Sequence, residues 1–579
     1  MAHYTTTLLN DLEESILKVL EISRTELCTV HFGIKGHTHF ATFRFPDGGR
    51  AECISTQDDG LVFAGGSLFK VFIATAASLM IEKFSSDPQP TNRYRGLRGA
   101  WKRTFTEVFN EFSKDSQIRP LDGNPTVLDL ILHFKGPCDI NHLLFSPQGT
   151  PLLTESNFLS TIPKYTEDTR QRHDNTTTYC EYSNSNYILI SLLIQAASGM
   201  SLHAFLKEHI FNRLGMHRTY MTAGELNSIA PGLRAQPHLV SGDGTRRPIV
   251  FDTIPYLADT VEVATTGGYI CAADVGIFFQ AVQDALNGTS AYGEFDAKFA
   301  KSLFLGLGAI DSQEHHGYTR FGLYTRLDEN LPGSHSLNRL ISPESDSSTF
   351  TLMETFQDNT ISAYYMAGAV NGWACTAYFL PTKERFVVVL TNTSSPLDSS
   401  DIISRLCLQE MLRLKPSKFG SRNFSCRPNG WERMTAVETY RAHYVELAAR
   451  MYEENAKAFR KLEEEDKAPD TLVADCPKVC GIYTNESSGQ TLNVIDSKLG
   501  PENVLRVIMR GKPKKTEPMR FVYKGKVFRI CSLGFPGLGI DCFGDWRNLE
   551  FEFTEENGIV TSLSRKGVNL VDRFIRMPD

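Results

Sequence analysis

The sequence lacks several features that mark specialised classes of protein. Its longest apolar runs, residues 69–81 and 187–197, are shorter than the roughly 20 residues that a membrane-spanning helix needs. Basic residues are not in excess: 60 lysines and arginines face 67 aspartates and glutamates, and a net charge of −7 argues against a nucleic-acid partner. None of the 12 cysteines forms a Cys-x-x-Cys pair, which disfavours a zinc site or a disulfide framework.

The first 20 residues also lack the basic and then apolar pattern of a signal peptide, because acidic residues occupy that stretch. We therefore expect a cytoplasmic protein whose cysteines are reduced structural thiols. Asp311, Glu314, His315 and His316 share one polar loop, but the ligands are nearly consecutive and no second cluster completes a site. No metal and no cofactor is expected.

What the sequence does contain is a candidate nucleophile at the start of a buried helix. Gly66 permits a tight turn, and Ser67 and Lys70 then precede an apolar run, residues 71–81, that is apolar on nearly every face. Ser67 and Lys70 are three residues apart, so they share one face of the first helical turn. A serine hydroxyl beside an amine that can take its proton is a typical activated nucleophile.

A second Ser-x-x-Lys, formed by Ser15 and Lys18, shows that the motif alone is weak evidence. Residues 8–22 repeat apolar residues at helical spacing, and Glu13 and Glu14 precede Ser15. We interpret Ser15 as part of a solvated helix face with no role in chemistry. Other residues near Ser67 are therefore needed to show which of the two Ser-x-x-Lys motifs is the candidate nucleophile.

The rest of the chain alternates helical and strand-like segments. Residues 28–45 read as a hairpin, residues 84–124 as a polar surface insertion, and the stretch from 140 to about 178 as a long loop. Apolar helices are predicted at 187–198 and 202–214, a hairpin at 374–391, and one long charged helix at 434–466. Beyond residue 470, short β-like runs separated by turns predict an antiparallel β domain.

Two further segments complete a constellation with Ser67 and Lys70. Tyr182 and Asn184 form a Tyr-x-Asn motif directly before a buried helix, whereas the same tripeptide at Tyr483 lies in a strand and turn. Residues 366–381, MAGAVNGWACTAYFLP, contain glycines at 368 and 372 before a β strand. Together these motifs resemble those of the serine β-lactamase and penicillin-binding-protein superfamily, specifically its class C branch with the related esterases and acyltransferases.

The resemblance covers roughly residues 27–410 and implies an α/β (α+β) fold, in which helices flank an antiparallel sheet and an all-helical subdomain is added. Supporting matches are LDLILHFKG, RLGMHRT, TTGGYICAADV and FVVVLTN. The implied division is a serine hydrolase domain at 1–425, a charged linker helix at 430–468, and a β-barrel-like domain at 470–579. That last domain resembles the small lipocalin-like barrel that some family members carry.

The resemblance also implies roles for the site residues. Ser67 would attack a carbonyl to form an acyl-enzyme, and Lys70 and Tyr182 would exchange its proton. The backbone N–H groups of Ser67 and Ala369 would hold the oxyanion, and Asn184 would orient the substrate. Gly368 reads as a backbone requirement of a strand beside the site. His133, within LDLILHFKG, is interpreted as a satisfied core histidine.

The third motif departs from the family pattern, in which a cation or an imidazole is expected. Met366 supplies neither, and Ala367 removes the hydroxyl beside it. An apolar pair cannot meet a substrate carboxylate, and burying an unpaired carboxylate there would be costly. The sequence therefore predicts an apolar acyl chain, ester, thioester or lactone as substrate rather than a β-lactam or a D-Ala-D-Ala peptide.

Three functions stay open at this point. The favoured one is an esterase- or thioesterase-type hydrolase of a small-molecule acyl substrate, with a role in secondary metabolism. The second is an acyltransferase that moves an acyl group from a carrier-protein or CoA thioester to a small-molecule alcohol. The third is a catalytically inactive scaffold that binds a partner through its β domain. The sequence does not indicate an oligomeric state.

Overall fold

The computed structural model describes most of the chain, in two compact units. The described residues are 2–58, 60–89, 91–113, 117–121, 123–137, 140–146, 151–169, 182–250, 260–261, 263–304, 317–326, 362–412, 436–467, 478–486, 488–497, 504–511, 519–523, 527–531, 550–565 and 573–578. The first unit comprises Met1–Leu79, His203–Val250 and Thr266–Phe459, and the second comprises Met80–Leu202, Phe251–Thr265 and Arg460–Asp579. The predicted domain division of the chain stays a prediction.

The described helices are, in chain order, α1 (Ala2–Ser23), α2 (Lys70–Ser78), α3 (Phe105–Phe112), α4 (Val127–Ile131), α5 (Asn141–Leu144), α6 (Glu155–Thr169), α7 (Asn184–Ser198), α8 (Leu202–Leu206), α9 (Asn212–Leu214), α10 (Ala223–Asn227), α11 (Val263–Thr266), α12 (Ala272–Leu286), α13 (Ala297–Leu303), α14 (Ser399–Leu412) and α15 (Ala436–Lys467).

The described strands are β1 (Leu27–Ile34), β2 (His37–Arg44), β3 (Glu52–Ser55), β4 (Phe63–Ala64), β5 (Thr219–Tyr220), β6 (His238–Val240), β7 (Arg246–Pro248), β8 (Tyr269–Ile270), β9 (Gly317–Tyr318), β10 (Leu323–Arg326), β11 (Ser362–Val370), β12 (Trp373–Leu380), β13 (Arg385–Thr391), β14 (Thr393–Ser394), β15 (Gly481–Asn485), β16 (Thr491–Ser497), β17 (Val504–Arg510), β18 (Met519–Tyr523), β19 (Phe528–Cys531), β20 (Glu550–Glu556), β21 (Ile559–Arg565) and β22 (Arg573–Arg576).

The first unit is built on an antiparallel sheet of eight strands, in the order β3-β2-β1-β13-β12-β11-β10-β9. Its central strands are almost continuously apolar because helices cover both faces. Helices α1, α14 and α15 contribute to one shared core with the sheet, and Phe279 of α12 packs on the opposite face against Phe379 and Phe386. The predicted fold class, helices around an antiparallel sheet, is confirmed.

The interpretation of Ser15 as solvated was wrong. Ser15 is only 7% exposed, because it lies beside the fully buried apolar stripe of α1 that contains Leu12 and Ile16. Lys18 does point outward, where its amine donates to the Glu14 carboxylate at 2.6 Å. The amine of this second Ser-x-x-Lys is therefore paired with a carboxylate.

The second unit contains helices in places where the sequence indicated none. Residues 84–124 were predicted to be a surface insertion, but they include α3, whose residues Phe105 and Phe109 are buried and stack with ring centroids 5.5 Å apart. Helices α5 and α6 lie within the stretch that was predicted to be a long loop. The apolar face of α3 repeats every four residues, a signal that the polar composition around it obscured.

The C-terminal strands of the second unit form a closed antiparallel barrel, β15 to β22 in sequence order, in which β22 pairs with β15. Alternate side chains fill its interior, among them Tyr483, Phe521, Phe551 and Phe574. The extra β domain predicted from the sequence is thereby confirmed as a barrel with a packed core.

Candidate active site

The candidate nucleophile lies on a turn between a short strand and a buried helix, all within the first unit. Strand β4 leads to Gly65, residues Gly66–Phe69 form one turn of 3-10 helix, and α2 begins at Lys70. Gly66 adopts a positive φ of 52°, which a residue with a Cβ would rarely take. Between residues 60 and 81 every residue is buried except Ser67, which is partly exposed.

Lys70 is placed to act on that hydroxyl. Its Nζ donates a hydrogen bond of 2.9 Å to Ser67 Oγ, and the residue is only 6% exposed. A neutral amine at this distance can accept the hydroxyl proton when Ser67 attacks a carbonyl. The arrangement would allow Lys70 to serve as a base for Ser67.

Aromatic packing fixes the turn. The Phe69 ring fills the space beside Gly65 and Gly267, where an added Cβ would lie 2.6 Å and 2.3 Å from ring carbons. Phe72, one turn along, packs edge-on against Phe69 and Phe211 at centroid distances of 5.4 Å. The start of α2 therefore has little freedom to move, which keeps the hydroxyl in one place.

Strand β11 lies directly against the nucleophile turn. A Cβ on Gly368 would come within 2.4 Å of Gly65 O and 2.8 Å of Ser67 N, and a Cβ on Gly66 would come within 3.0 Å of Ala369 N. The two stretches of backbone are thus in contact because neither carries a side chain there. The backbone at Ser67 and the backbone at Ala369 are both part of this contact.

A buried cysteine joins the same contact. Cys375 pairs with Gly368 across β11 and β12, and its Sγ donates to Gly65 O at 3.2 Å. Burial raises the pKa of the Cys375 thiol to about 12, so the thiol stays protonated and remains a donor near neutral pH. No motif in the sequence pointed to Cys375, because only the fold brings it next to the nucleophile turn.

Met366 shares the face of β11 that meets the nucleophile turn. Side chains two residues apart on a strand point the same way, so Met366 lies on the side of Gly368, and Ala367 packs into the sheet core on the other side. The Met366 side chain is 7% exposed and passes Gly322, where a Cβ would lie 3.0 Å from Met366 Cγ. A thioether therefore occupies this part of the strand face.

The second unit holds the candidate tyrosine. The Tyr182 ring packs on the ring of His133 with centroids 4.6 Å apart, and His133 Nδ1 accepts the Ser183 N–H at 3.0 Å. His133 is 3% exposed, as expected of a core histidine, and adopts a positive φ of 53°. Beyond filling the core, His133 thus holds the backbone next to Tyr182.

Further contacts fix the chain on either side of Asn184, the first residue of α7. Ser183 Oγ donates to Pro137 O at 2.9 Å. Asn186 Nδ2 donates to Leu130 O at 3.2 Å and Tyr187 OH donates to Ile131 O at 3.2 Å. Burial raises the pKa of the Tyr187 phenol, so Tyr187 stays protonated and serves as an anchor.

Two of the supporting sequence matches meet in the first unit. Asp274, from TTGGYICAADV, is 1% exposed and its carboxylate accepts the Arg218 N–H and the Thr219 hydroxyl, each at 2.8 Å, from RLGMHRT. These bonds hold β5 in a small sheet of order β4-β8-β5, and β4 leads into the nucleophile turn. The two motifs therefore support the scaffold of Ser67.

Among the described residues, no group of three or more His, Cys, Asp or Glu residues is arranged to hold a metal ion. Asp311, Glu314, His315 and His316 lie outside the described residues. In the described part of the chain no single helix is long and apolar enough to span a membrane, although α7 with residues 202–214 passes as a bent pair on length and composition alone.

Comparison with known proteins matches part of the chain to a family and the whole chain to a known fold. Residues 147–408 match the family model named Beta-lactamase. The chain is also similar to the octameric penicillin-binding protein homologue from Pyrococcus abyssi, with a TM-score of 0.51 and 14% identity over 98% of this chain and 100% of that chain. Residues 147–408 therefore match the Beta-lactamase family, and the chain as a whole has the fold of this penicillin-binding protein homologue. The family that residues 147–408 match is one of serine hydrolases with the β-lactamase fold.

Other solved structures are less similar. A β-lactamase from Sulfitobacter sp. EE-36 gives a TM-score of 0.47 at 14% identity over 70% of this chain and 97% of that chain. A class C β-lactamase from Rhodobacter sphaeroides gives 0.46 at 15% identity over 70% and 99%. No curated protein sequence matches the chain.

Proposed function

We propose that this chain is a serine acyl-enzyme hydrolase of esterase, thioesterase or lactonase type that acts on an apolar small-molecule acyl substrate. The observation that carries the proposal is the 2.9 Å hydrogen bond from Lys70 Nζ to Ser67 Oγ. It joins a buried amine to the one partly exposed residue between 60 and 81. Ser15, the other serine of a Ser-x-x-Lys, is buried, and its lysine is paired with a carboxylate.

In the proposed first half-reaction, Ser67 Oγ attacks the acyl carbon and forms a C–O bond. Lys70 takes the hydroxyl proton in its neutral form, and the N–H groups of Ser67 and Ala369 donate to the oxyanion. As the intermediate collapses, the bond to the leaving alcohol or thiol breaks, and Tyr182 gives that group a proton. Lys70 then holds the serine proton as an ammonium group, and Tyr182 is left as a phenolate.

In the second half-reaction, a water molecule replaces the leaving group. Tyr182 takes a proton from the water as its oxygen attacks the acyl carbon, and the oxyanion again lies between the two N–H groups. The C–O bond to Ser67 breaks, and Lys70 returns its proton to Ser67 Oγ, so that Ser67, Lys70 and Tyr182 regain their starting protonation. Asn184, at the start of α7, orients the substrate.

The proposed substrate class rests on Met366. A buried thioether occupies the strand face beside the nucleophile turn, and it cannot compensate the charge of a carboxylate removed from water. Apolar acyl chains lose little on entering such surroundings and gain dispersion contacts with the polarisable sulfur. Esters, lactones and carrier-protein or CoA thioesters with apolar acyl groups fit this description.

We place this activity in secondary metabolism within the cytoplasm. Six of the described cysteines are free thiols, which supports a reducing compartment because structural thiols persist there. An apolar third motif also suits small-molecule acyl groups better than charged cell-wall peptides.

Fluorophosphonate labelling followed by intact-mass measurement tests the nucleophile. We expect wild type to gain one adduct, Ser67→Ala to gain none, and Lys70→Ala to label about 10²-fold more slowly, as loss of a general base predicts. Ser15→Ala is the matched control and should label like wild type. Equal labelling of wild type and Ser67→Ala would refute the proposal.

The acyltransferase alternative shares the first half-reaction, so it must be separated at the second. The enzyme is given a butyryl thioester as donor together with added alcohols. Transfer to water is measured as free butyric acid, and transfer to an alcohol is measured as the butyrate ester. Release of free acid as the main product at millimolar alcohol supports the hydrolase. A product mixture dominated by ester would favour the transferase.

A further inference from the structure

The C-terminal barrel holds a segment of the helical part of the same unit. This segment, here called the strap, consists of residues 140–157, of which 140–146 and 151–157 are described. It follows His133 and precedes Tyr182 in the chain. The strap folds back on itself where Leu152 N donates to Leu144 O at 2.8 Å.

The centre of the strap is part of the barrel core. Leu152 is 1% exposed and belongs to the same apolar cluster as Val479, Leu492 and Met509 of the barrel. Gly511 approaches so closely that a Cβ there would lie 1.9 Å from Leu152 O. Because the close partner is backbone, the approach depends on glycine at position 511.

Polar contacts fix the strap on both sides of Leu152. Gln490, 1% exposed, donates its Nε2 to Leu143 O at 2.5 Å. Asn157 Nδ2 donates to Ser488 O at 2.8 Å. These partners lie on one turn, between β15 and β16, which is itself held by Asn485 N donating to Gln490 O at 2.9 Å. The buried side-chain amide of Gln490 and the hydrogen-bonded turn between β15 and β16 therefore hold the strap in a fixed position.

The N-terminal end of the strap lies close to the candidate tyrosine. Leu143 N donates to Ile140 O at 2.7 Å, and three residues before Ile140 the Pro137 carbonyl accepts the Ser183 hydroxyl at 2.9 Å. Ser183 is the neighbour of Tyr182. The barrel contact at Leu143 is thus six residues along the chain from the carbonyl that holds the tyrosine segment.

We propose that the barrel acts as a clamp that positions the tyrosine half of the site, with Gln490, Asn157 and Leu152 as positioning residues. This inference rests on the proposed function of Tyr182 as general acid. Releasing the strap loosens Pro137 and with it the bond to Ser183. The contacts described for the clamp all lie within the second unit, and we expect the two halves of the chemistry to respond differently to its loss.

That difference can be measured through the leaving group. p-Nitrophenolate leaves near neutral pH without being protonated, whereas ethoxide must receive a proton as it departs. Acylation, measured as kcat/KM, therefore depends on the general acid far more with ethyl butyrate than with p-nitrophenyl butyrate. A misplaced Tyr182 lowers the ratio of the two rates, whereas a loss of folded protein lowers both rates equally.

The variants are Gln490→Ala and Leu152→Ala in the full chain. Leu563→Ala is the matched control, because Leu563 is a fully buried leucine of the same barrel core that belongs to β21. We expect both clamp variants to lower the ethyl-to-p-nitrophenyl rate ratio about 10-fold, since small misplacements at a site are amplified in rate. The control should keep the wild-type ratio.

Hydrogen–deuterium exchange supplies a readout that needs no activity. In both clamp variants the amides of residues 182–186 should exchange faster than in Leu563→Ala at equal overall stability. Unchanged exchange there would overturn the clamp, as would faster exchange with an unchanged rate ratio. Failure of wild type to label with fluorophosphonate would overturn the proposed function, while exchange would still decide whether the barrel holds the segment.

Discussion

Adding one methyl group at Gly368 should separate the two amide groups that we propose as the oxyanion site. The Cβ of Gly368→Ala would lie 2.4 Å from Gly65 O and 2.8 Å from Ser67 N. Ordinary contact begins near 3.4 Å, so β11 and the nucleophile turn must move apart by about 1 Å. Both close atoms are backbone, and the third neighbour, Cys375 Sγ at 2.9 Å, is buried. No side-chain rotation relieves the overlap.

The expected loss follows from what that shift does to the oxyanion. Removing one oxyanion donor typically costs about 10²–10³ in rate, and a misplacement of about 1 Å can cost about 10². We therefore expect the acylation rate of Gly368→Ala to fall at least about 10²-fold. Overpacking a core costs roughly 1–3 kcal/mol, which lowers the melting temperature without unfolding a protein of ordinary stability.

The assay is stopped-flow acylation with p-nitrophenyl butyrate, together with thermal unfolding. Gly293→Ala is the control, because no atom lies within 4 Å of the Cβ position there. The reasoning is refuted if Gly368→Ala acylates within about threefold of wild type, a difference of only ~0.7 kcal/mol in barrier. An equal loss in Gly293→Ala would refute it too, because the effect would then not be local.

Three further predictions concern neighbouring residues and a surface ion pair. Cys375→Ala, which removes the donor to Gly65 O, should slow acylation, and Cys375→Ser should restore part of the rate; equal rates for both variants would contradict a positioning role. Met366→Lys puts a cation on the face beside the turn and should allow labelling by a fluorescent penicillin that wild type resists; efficient labelling of wild type would disprove the apolar substrate class. Burial opposes ionisation of Glu225, but the hydrogen bonds from Lys207, the Met221 N–H and His203 together outweigh it and lower the pKa to about 2. This stabilisation is present above the unfolded pKa of about 4.3 and is lost as pH falls toward the folded value, so the melting-temperature loss in Glu225→Gln should shrink below about pH 4.3.

Sequence patterns predicted the elements whose residues repeat regularly. Helix α7 is apolar throughout and ends at Gly199 in the left-handed conformation, and the β12–β13 hairpin consists of two apolar runs around a turn. Helix α6 escaped prediction because Pro163 lies inside it and a proline usually marks the end of a helix. Its polar residues also left no clear apolar stripe in the sequence.

For the candidate site, one side-chain contact could be predicted from the sequence, whereas the backbone contacts could not. The hydrogen bond between Ser67 and Lys70 follows from their spacing, because residues three apart meet on a helical turn. The contact of Gly368 with Gly65 joins residues about 300 positions apart. It depends on glycines that lack side chains, and such positions produce no periodic pattern in the sequence. The packing of Leu152 into the barrel core could not be predicted from the sequence either, because only the fold brings Leu152 next to the barrel strands.

The structure also explains how substrate preference can change while the nucleophile stays intact. At Gly66 and Gly368 any side chain would collide with backbone that carries the proposed chemistry, so these positions admit little variation. Met366, two residues from Gly368 on the same face of β11, touches Gly322, where the missing Cβ leaves room for side chains of different shape. A change there alters what the strand presents to a substrate without moving Ser67 N or Ala369 N. Residue 366 is therefore where we expect acyl preference to be set, and Met366→Lys should change which acyl groups react more than it changes labelling by a small fluorophosphonate.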